Sequence, residues 1–178
     1  MPIWEVPPVT ITRPVPVHDQ PGQPDPRVDL HSASLALSRD ARTMTVTARL
    51  RQPTSPTAPN WWLGSSVARP GIVWGLNLDG SDRWQYLVHL RGDPDLGAYG
   101  FVERGQEPSR VTCNANAAFD GDEYRVTFAI GCLGRIPSRI RFTASVRLFD
   151  DGGSGRLLGA DHAPEFSDWL TPPVVAHG

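Results

Sequence analysis

The segment Thr43-Met44-Thr45-Val46-Thr47-Ala48-Arg49-Leu50 alternates polar and apolar residues at every step. A period of two buries one face only if the chain is extended, because successive side chains of a strand point to opposite sides of a sheet. The stretch therefore predicts a strand with Met44, Val46, Ala48 and Leu50 inward and polar residues in water. The same alternation returns in Glu123–Ile130, where Tyr124, Val126, Phe128 and Ile130 turn inward. It returns again in Ile140–Leu148, whose Arg, Thr and Ser residues face water. Punctuation disfavours long helices as well, since 18 prolines and 17 glycines cut the chain into short pieces.

The remaining segments follow the same rhythm. Val28–Leu37 runs into the turn Ser38-Arg39-Asp40-Ala41, and Pro53, Pro56 and Pro59 hold an irregular crossover. Ile72–Leu78 and Tyr86–Leu90 flank the loop Asp79-Gly80-Ser81-Asp82-Arg83, and Tyr99–Glu103 follows the tip Gly92-Asp93-Pro94-Asp95. Arg110–Ala115 and Glu123–Ile130 form a hairpin around Asp120-Gly121-Asp122, a strong turn signal. About eight or nine short strands with turns between them predict an all-β, antiparallel, two-sheet β-sandwich of jelly-roll or immunoglobulin-like type. A chain of 178 residues suffices for one hydrophobic core.

Residues 1–27 stand apart, with proline at positions 2, 7, 8, 14, 16, 21, 24 and 26. They read as an extended, Pro-rich N-terminal arm in which Val9-Thr10-Ile11-Thr12 forms one edge strand. Such an arm either hangs free or docks, on its own domain or on a neighbouring subunit. The sandwich is placed at 28–172 and a short C-terminal tail at 173–178.

Charge excludes some partners. The formal net charge of -2 gives no electrostatic case for nucleic acid, which needs a concentrated basic face, or for an anionic membrane. All 17 basic residues are arginine, a composition that fits a GC-rich genome. No stretch approaches the ~18–20 apolar residues of a membrane span. The start Met1-Pro2-Ile3-Trp4-Glu5 lacks the basic and apolar regions of an export signal.

Cys113 and Cys132 lie on either side of the Asp120–Asp122 turn, so folding the hairpin brings them nearly opposite. Cross-strand neighbours sit at the separation a disulfide needs, and closing this loop is worth about 3 kcal/mol. The alternative is a pair of buried thiols. A metal site is disfavoured, because no CxxC pair accompanies them and His18, His31, His89, His162 and His177 show no ligand spacing. A disulfide points to an oxidising compartment, hence to an extracellular, cell-surface or virion-surface location.

Candidate sites compete with plainer roles. Trp61, Trp62, Trp84 and Tyr86 lie at loop ends, where exposed aromatic rings stack on the C–H faces of sugars; the plainer role is to cover a sandwich end. Asp79 and Asp82, with Asp93 and Asp95 at the next tip, offer hard oxygen ligands to calcium, but the spacing is not an EF-hand loop and Asp is a good turn residue. Asp25, Asp29 and Asp161 are a weaker set of the same kind. No catalytic residues are assigned. Asp29, His31 and Ser32 or Ser34 share one strand and cannot easily converge as a triad, and Gly64-Ser65-Ser66 is not a nucleophile elbow. Gly152-Gly153-Ser154-Gly155-Arg156 lacks the lysine of a phosphate loop and reads as a hairpin tip.

From Asp25 onward the chain resembles exported β-sandwich proteins of actinobacteria, which are similar to DOMON and family-nine carbohydrate-binding-module domains. The residues that carry the likeness are Asp25-Pro26-Arg27-Val28-Asp29-Leu30, the strand Met44–Leu50, and Leu76-Asn77-Leu78-Asp79-Gly80 with Gln85-Tyr86. They continue with Cys113, Cys132-Leu133-Gly134, and Asp161-His162-Ala163-Pro164 before Phe166 and Trp169. Such families include sugar binders, haem binders and domains with no assigned ligand, so the resemblance implies a fold more than a function. The expected function is a non-catalytic, exported binding or interaction domain with a carbohydrate or protein partner. The alternative is a structural component of a cell or virion surface that assembles through residues 1–27.

Overall fold

The alternating segments are strands, and they bury the residues that the alternation turned inward. A computed structural model describes residues 9–12, 29–38, 40–57, 71–93, 95, 97–105, 108–149, 157–162, 167 and 169–171. It contains β1 (Val9–Thr12), β2 (Leu30–Leu37), β3 (Thr43–Leu50), β4 (Gly71–Asn77) and β5 (Tyr86–Asp93). These are followed by β6 (Gly97–Arg104), β7 (Arg110–Phe119), β8 (Glu123–Ala129), β9 (Arg141–Phe149) and β10 (Leu157–His162). One 3-10 turn, Ile130–Leu133, follows β8, and no α-helix occurs among the described residues. Met44, Val46 and Ala48 of β3 are fully buried, as are Tyr124 and Val126 of β8 and Ala144 and Val146 of β9.

Every pairing is antiparallel, and the order β1-β2-β3-β8-β7-β6-β5-β4-β9-β10 is continuous. The hydrogen bonds thus do not divide the strands into the two separate sheets expected from sequence. β7 is the joint: Arg110–Ala115 pair along β6, and Asn116–Phe119 pair along β8. A ten-residue strand can serve both halves, so the sheet bends along β7 without breaking. Ala115, where sequence reading ends this strand, is the point at which its partner changes. β10 was not expected from sequence. Beyond Val9–Thr12, which pairs with Ser32–Leu35 as an edge strand, the Pro-rich arm lies outside the described residues, as does the tail at 173–178.

The bent sheet wraps one core and nearly closes into a barrel. Trp74 on β4 reaches across that core, where its indole Nε1–H donates to the Thr47 carbonyl of β3 at 3.0 Å. At the seam, the Leu30 N–H at the start of β2 donates to Asp161 Oδ2 of β10 at 2.9 Å. β1 pairs as far as Ser32, and beyond it the Asp161 carboxylate of β10, the opposite edge strand, takes up the Leu30 amide. Asp29 accepts from Arg51 Nε at 2.8 Å and ties the two ends of the β2–β3 hairpin together. Asp29 and Asp161 therefore hold the fold; Asp25 lies outside the described residues. No helix among the described residues is long and apolar enough to cross a membrane.

Residues 51–57 run irregularly across one end of the barrel, as Pro53 and Pro56 require. Gly92 of β5 meets this segment so closely that a Cβ there would collide with the Pro56 carbonyl. Buried Tyr124 pins it: the hydroxyl donates to the Thr54 carbonyl and accepts from the Thr54 N–H, each at 2.6 Å. Burial pushes the Tyr124 phenol up to about 12, against a weaker opposing pull from its hydrogen bond with Thr54. Tyr124→Phe is expected to cost about 1–3 kcal/mol in urea denaturation, since it strips partners from Thr54. The sign of the pH effect is set by the raised folded value. Unfolded tyrosine ionises near 10.0 while the folded phenol keeps its proton, so stability falls as pH rises from there towards 12. The Phe variant should lack that part of the loss.

Cys113 and Cys132 form a disulfide with a Cα–Cα distance of 5.6 Å. Cys132 is not across a ladder from Cys113, because β8 ends at Ala129 and the chain turns into the 3-10 segment. The bond clamps that turn onto β7.

Candidate functional site

The loop between β4 and β5 is built by its own side chains. Buried Asn77 donates through Nδ2 to the Ser81 and Arg83 carbonyls, and its Oδ1 accepts the Gly80 N–H at 3.0 Å. Gln85 accepts the Leu78 N–H at 2.6 Å and donates to Asp79 Oδ1, Ser81 Oγ and the Arg83 carbonyl, each at 2.9 Å. Asp79 Oδ1 also accepts the Ser81 N–H at 2.9 Å. Hydrogen bonds from the Ser81 backbone and hydroxyl, and from Gln85, hold the Asp79 carboxyl below the usual carboxylate range. Asp79 therefore builds the turn. Asp82 remains exposed, as does Asp95, and among the described residues no group of three His, Cys, Asp or Glu comes together to hold a metal.

This preformed loop delivers Trp84 to the outside of the sheet. The ring lies against the backbone of two glycines. A Cβ at Gly75 would stand 2.9 Å from Trp84 Cε3 and 3.1 Å from Cδ2, and one at Gly105 would stand 3.0 Å from Cδ1. Only residues without a side chain let the indole lie this low. Trp84 is nevertheless 44% exposed, which leaves part of the ring open to solvent.

Trp84 borders a groove of about 430 Å³ on the outward face of β4, β5, β9 and β10. Val73 of β4 and Leu87 of β5 give it an apolar floor. Thr143, Ser145 and Arg147 of β9, with Asp82 and His162, give it hydrogen-bonding groups of both signs. Along the same face of β5 and β6, His89 is in register with Phe101 and Arg91 with Tyr99. The His89 and Phe101 rings stack at 4.4 Å, Arg91 lies 5.1 Å over Phe101, and His89 Nε2 is 3.0 Å from Glu103 Oε2. Tyr99 is 41% exposed at the end of this aromatic ladder.

The groove offers stacking and hydrogen bonding. Ser145 Oγ donates to the Val73 carbonyl at 3.5 Å, and no hydrogen bond joins it to His162 among the described residues. Asp29, just before β2, is paired with Arg51, and Ser34 of β2 shares a 2.5 Å hydrogen bond with Thr47, so neither is committed to His31.

Of the residues singled out from sequence, Trp84 and Asp82 meet at the groove. Tyr86 turns inward: it packs against the core and its hydroxyl donates to the Leu133 carbonyl at 2.7 Å. Trp61 and Trp62 lie outside the described residues. Val73, Leu87, Thr143, Ser145 and Arg147 were not singled out, and His162 was weighed only as a metal ligand and set aside. Their signal was the water-facing half of each alternation, which marks an outer face without showing which strands share it.

Compared with family models, with curated proteins and with solved structures, the chain matches none.

Proposed function

We propose that this domain is a non-catalytic, extracellular binding module of sandwich-like build, and that it holds a glycan in the Trp84 groove. The observation that carries the reading is the seating of Trp84. Its indole is backed by Gly75 and Gly105 and remains 44% exposed beside a groove of about 430 Å³. A sugar ring presents a flat C–H face that stacks on such a surface, and its hydroxyls need donors and acceptors close by. Asp82 and Arg147 supply these on opposite sides of the charge scale. The indole is already held in place, so binding orders little, and preorganisation of this kind favours affinity. The disulfide supports an oxidising compartment. The sugar-binding branch of the resemblance points the same way.

Tryptophan fluorescence titrated against a panel of oligosaccharides tests this. At least one glycan should shift or quench the emission, and Trp84→Ala should weaken its binding by about tenfold or more while the fold is kept. Silence across a broad panel, or full affinity in the Trp84→Ala variant, would sink the proposal.

A further inference from the structure

Most arginines described here are matched. Arg49 and Arg125 share Glu123, at 3.1 and 2.5 Å, and Arg51 takes Asp29 at 2.8 Å. Arg139 and Arg141 lie over the Trp169 ring at 4.2 and 4.8 Å. Arg104, Arg110 and Arg135 break this pattern, as do Arg83 and Arg147 elsewhere on the surface. Among the described residues none of them forms an ion pair.

Arg104 and Arg110 line one hollow beside Cys132, and Arg104 and Arg135 line its neighbour. Two hollows of about 330 and 190 Å³ share Tyr86 and Arg104. Arg110, Thr112 and Cys132 border the first, and Gln85 and Arg135 border the second; no carboxylate lines either. Arg104 and Arg110 are direct register partners across β6 and β7. Like charges facing one another across a ladder destabilise it. The chain as a whole is at -2, so a general excess of positive charge does not explain the cluster. The surroundings are stiff, because the Tyr86 hydroxyl donates to the Leu133 carbonyl at 2.7 Å and Cys132 is bonded to Cys113.

We propose that these two adjoining hollows bind a tetrahedral oxyanion, sulfate or phosphate, through Arg104, which lines both, together with Arg110 and Arg135. The planar guanidinium fork matches two oxygens of such an ion at once, which an ammonium group cannot do. Three cations call for more than the single charge of a carboxylate, and a dianion also relieves the Arg104–Arg110 repulsion. The site shares neither Trp84 nor the groove residues and stands whether or not a glycan binds there.

The test uses the whole, disulfide-bonded protein with inorganic sulfate, inorganic phosphate, and chloride at matched ionic strength. Thermal midpoints and the Arg Nε–H resonances are followed together. Sulfate or phosphate should raise the midpoint saturably, by mass action on the folded state, and should shift the resonances of Arg104, Arg110 and Arg135. The anion with the larger effect names the group. Arg135→Gln, outside any strand, should weaken binding by about tenfold or more. Trp84→Ala should leave oxyanion affinity unchanged. Without added anion, Arg110→Gln should raise the midpoint, because it removes one of two facing charges. The proposal fails if chloride matches both oxyanions, or if Arg104→Gln and Arg135→Gln bind them as the wild type does.

Discussion

Trp74→Ala should destabilise the domain by about 3–5 kcal/mol, the cost of emptying a large aromatic site in a packed core. Trp74 is wholly shielded from solvent, and its indole N–H donates to the Thr47 carbonyl across the barrel. Truncation leaves a cavity between β3 and β4 and takes a partner from a backbone acceptor. Trp74→Phe separates the two losses, since it fills most of the volume but cannot donate; its cost should be smaller, about 1–3 kcal/mol. Equilibrium urea unfolding reads both. An alanine variant near wild-type stability would mean that β3 and β4 do not face each other across a common core.

Removing the disulfide should cost about 3 kcal/mol, as expected for the release of a short closed loop in the unfolded chain. The bonded cysteines are 19 residues apart. The local consequence is as informative as the global one. Ile130 and Leu133 are buried in the 3-10 turn that Cys132 anchors, and Leu133 accepts from Tyr86. In the Cys113→Ser/Cys132→Ser double variant, amide exchange in this turn should speed up more than in β3 or β8. Uniform exchange and an unchanged urea midpoint would show that the turn is held by packing alone.

Much of the fold was legible because alternation is a local signal. β3, β8 and β9 each carry apolar side chains at every second position, and the core collects Met44, Val46, Ala48, Tyr124, Val126, Phe128, Phe142, Ala144 and Val146. The second half of β7 was not read as strand, since of its two inward residues Ala117 is a weak marker and Phe119 directly adjoins the Asp120-Gly121-Asp122 turn. The bend of the sheet depends on that half, so the joining of the two expected layers was hidden with it. The cysteine pairing could be read from spacing, but the position of Cys132 could not, because that depends on where β8 stops.

The candidate site was less legible, for a physical reason. Trp84 has the same parity as Tyr86, Val88 and Leu90, which all turn inward. It lies outside the groove's strands at the exit of a loop, where parity no longer applies. Its seat is made by Gly75 and Gly105, which are far from each other in sequence and are set side by side only by the β4–β5–β6 pairing. The Arg104–Arg110 pair likewise exists only once the β6–β7 register is fixed.

The most direct measurement is a ¹⁵N–¹H NMR titration with the oligosaccharide that binds best. The Trp84 indole Nε1–H and the amides of Val73, Thr143 and Ser145 should shift together and saturate with a single affinity. Shifts confined to other faces of the sheet, with the Trp84 indole unmoved at saturation, would contradict a binding groove at this site.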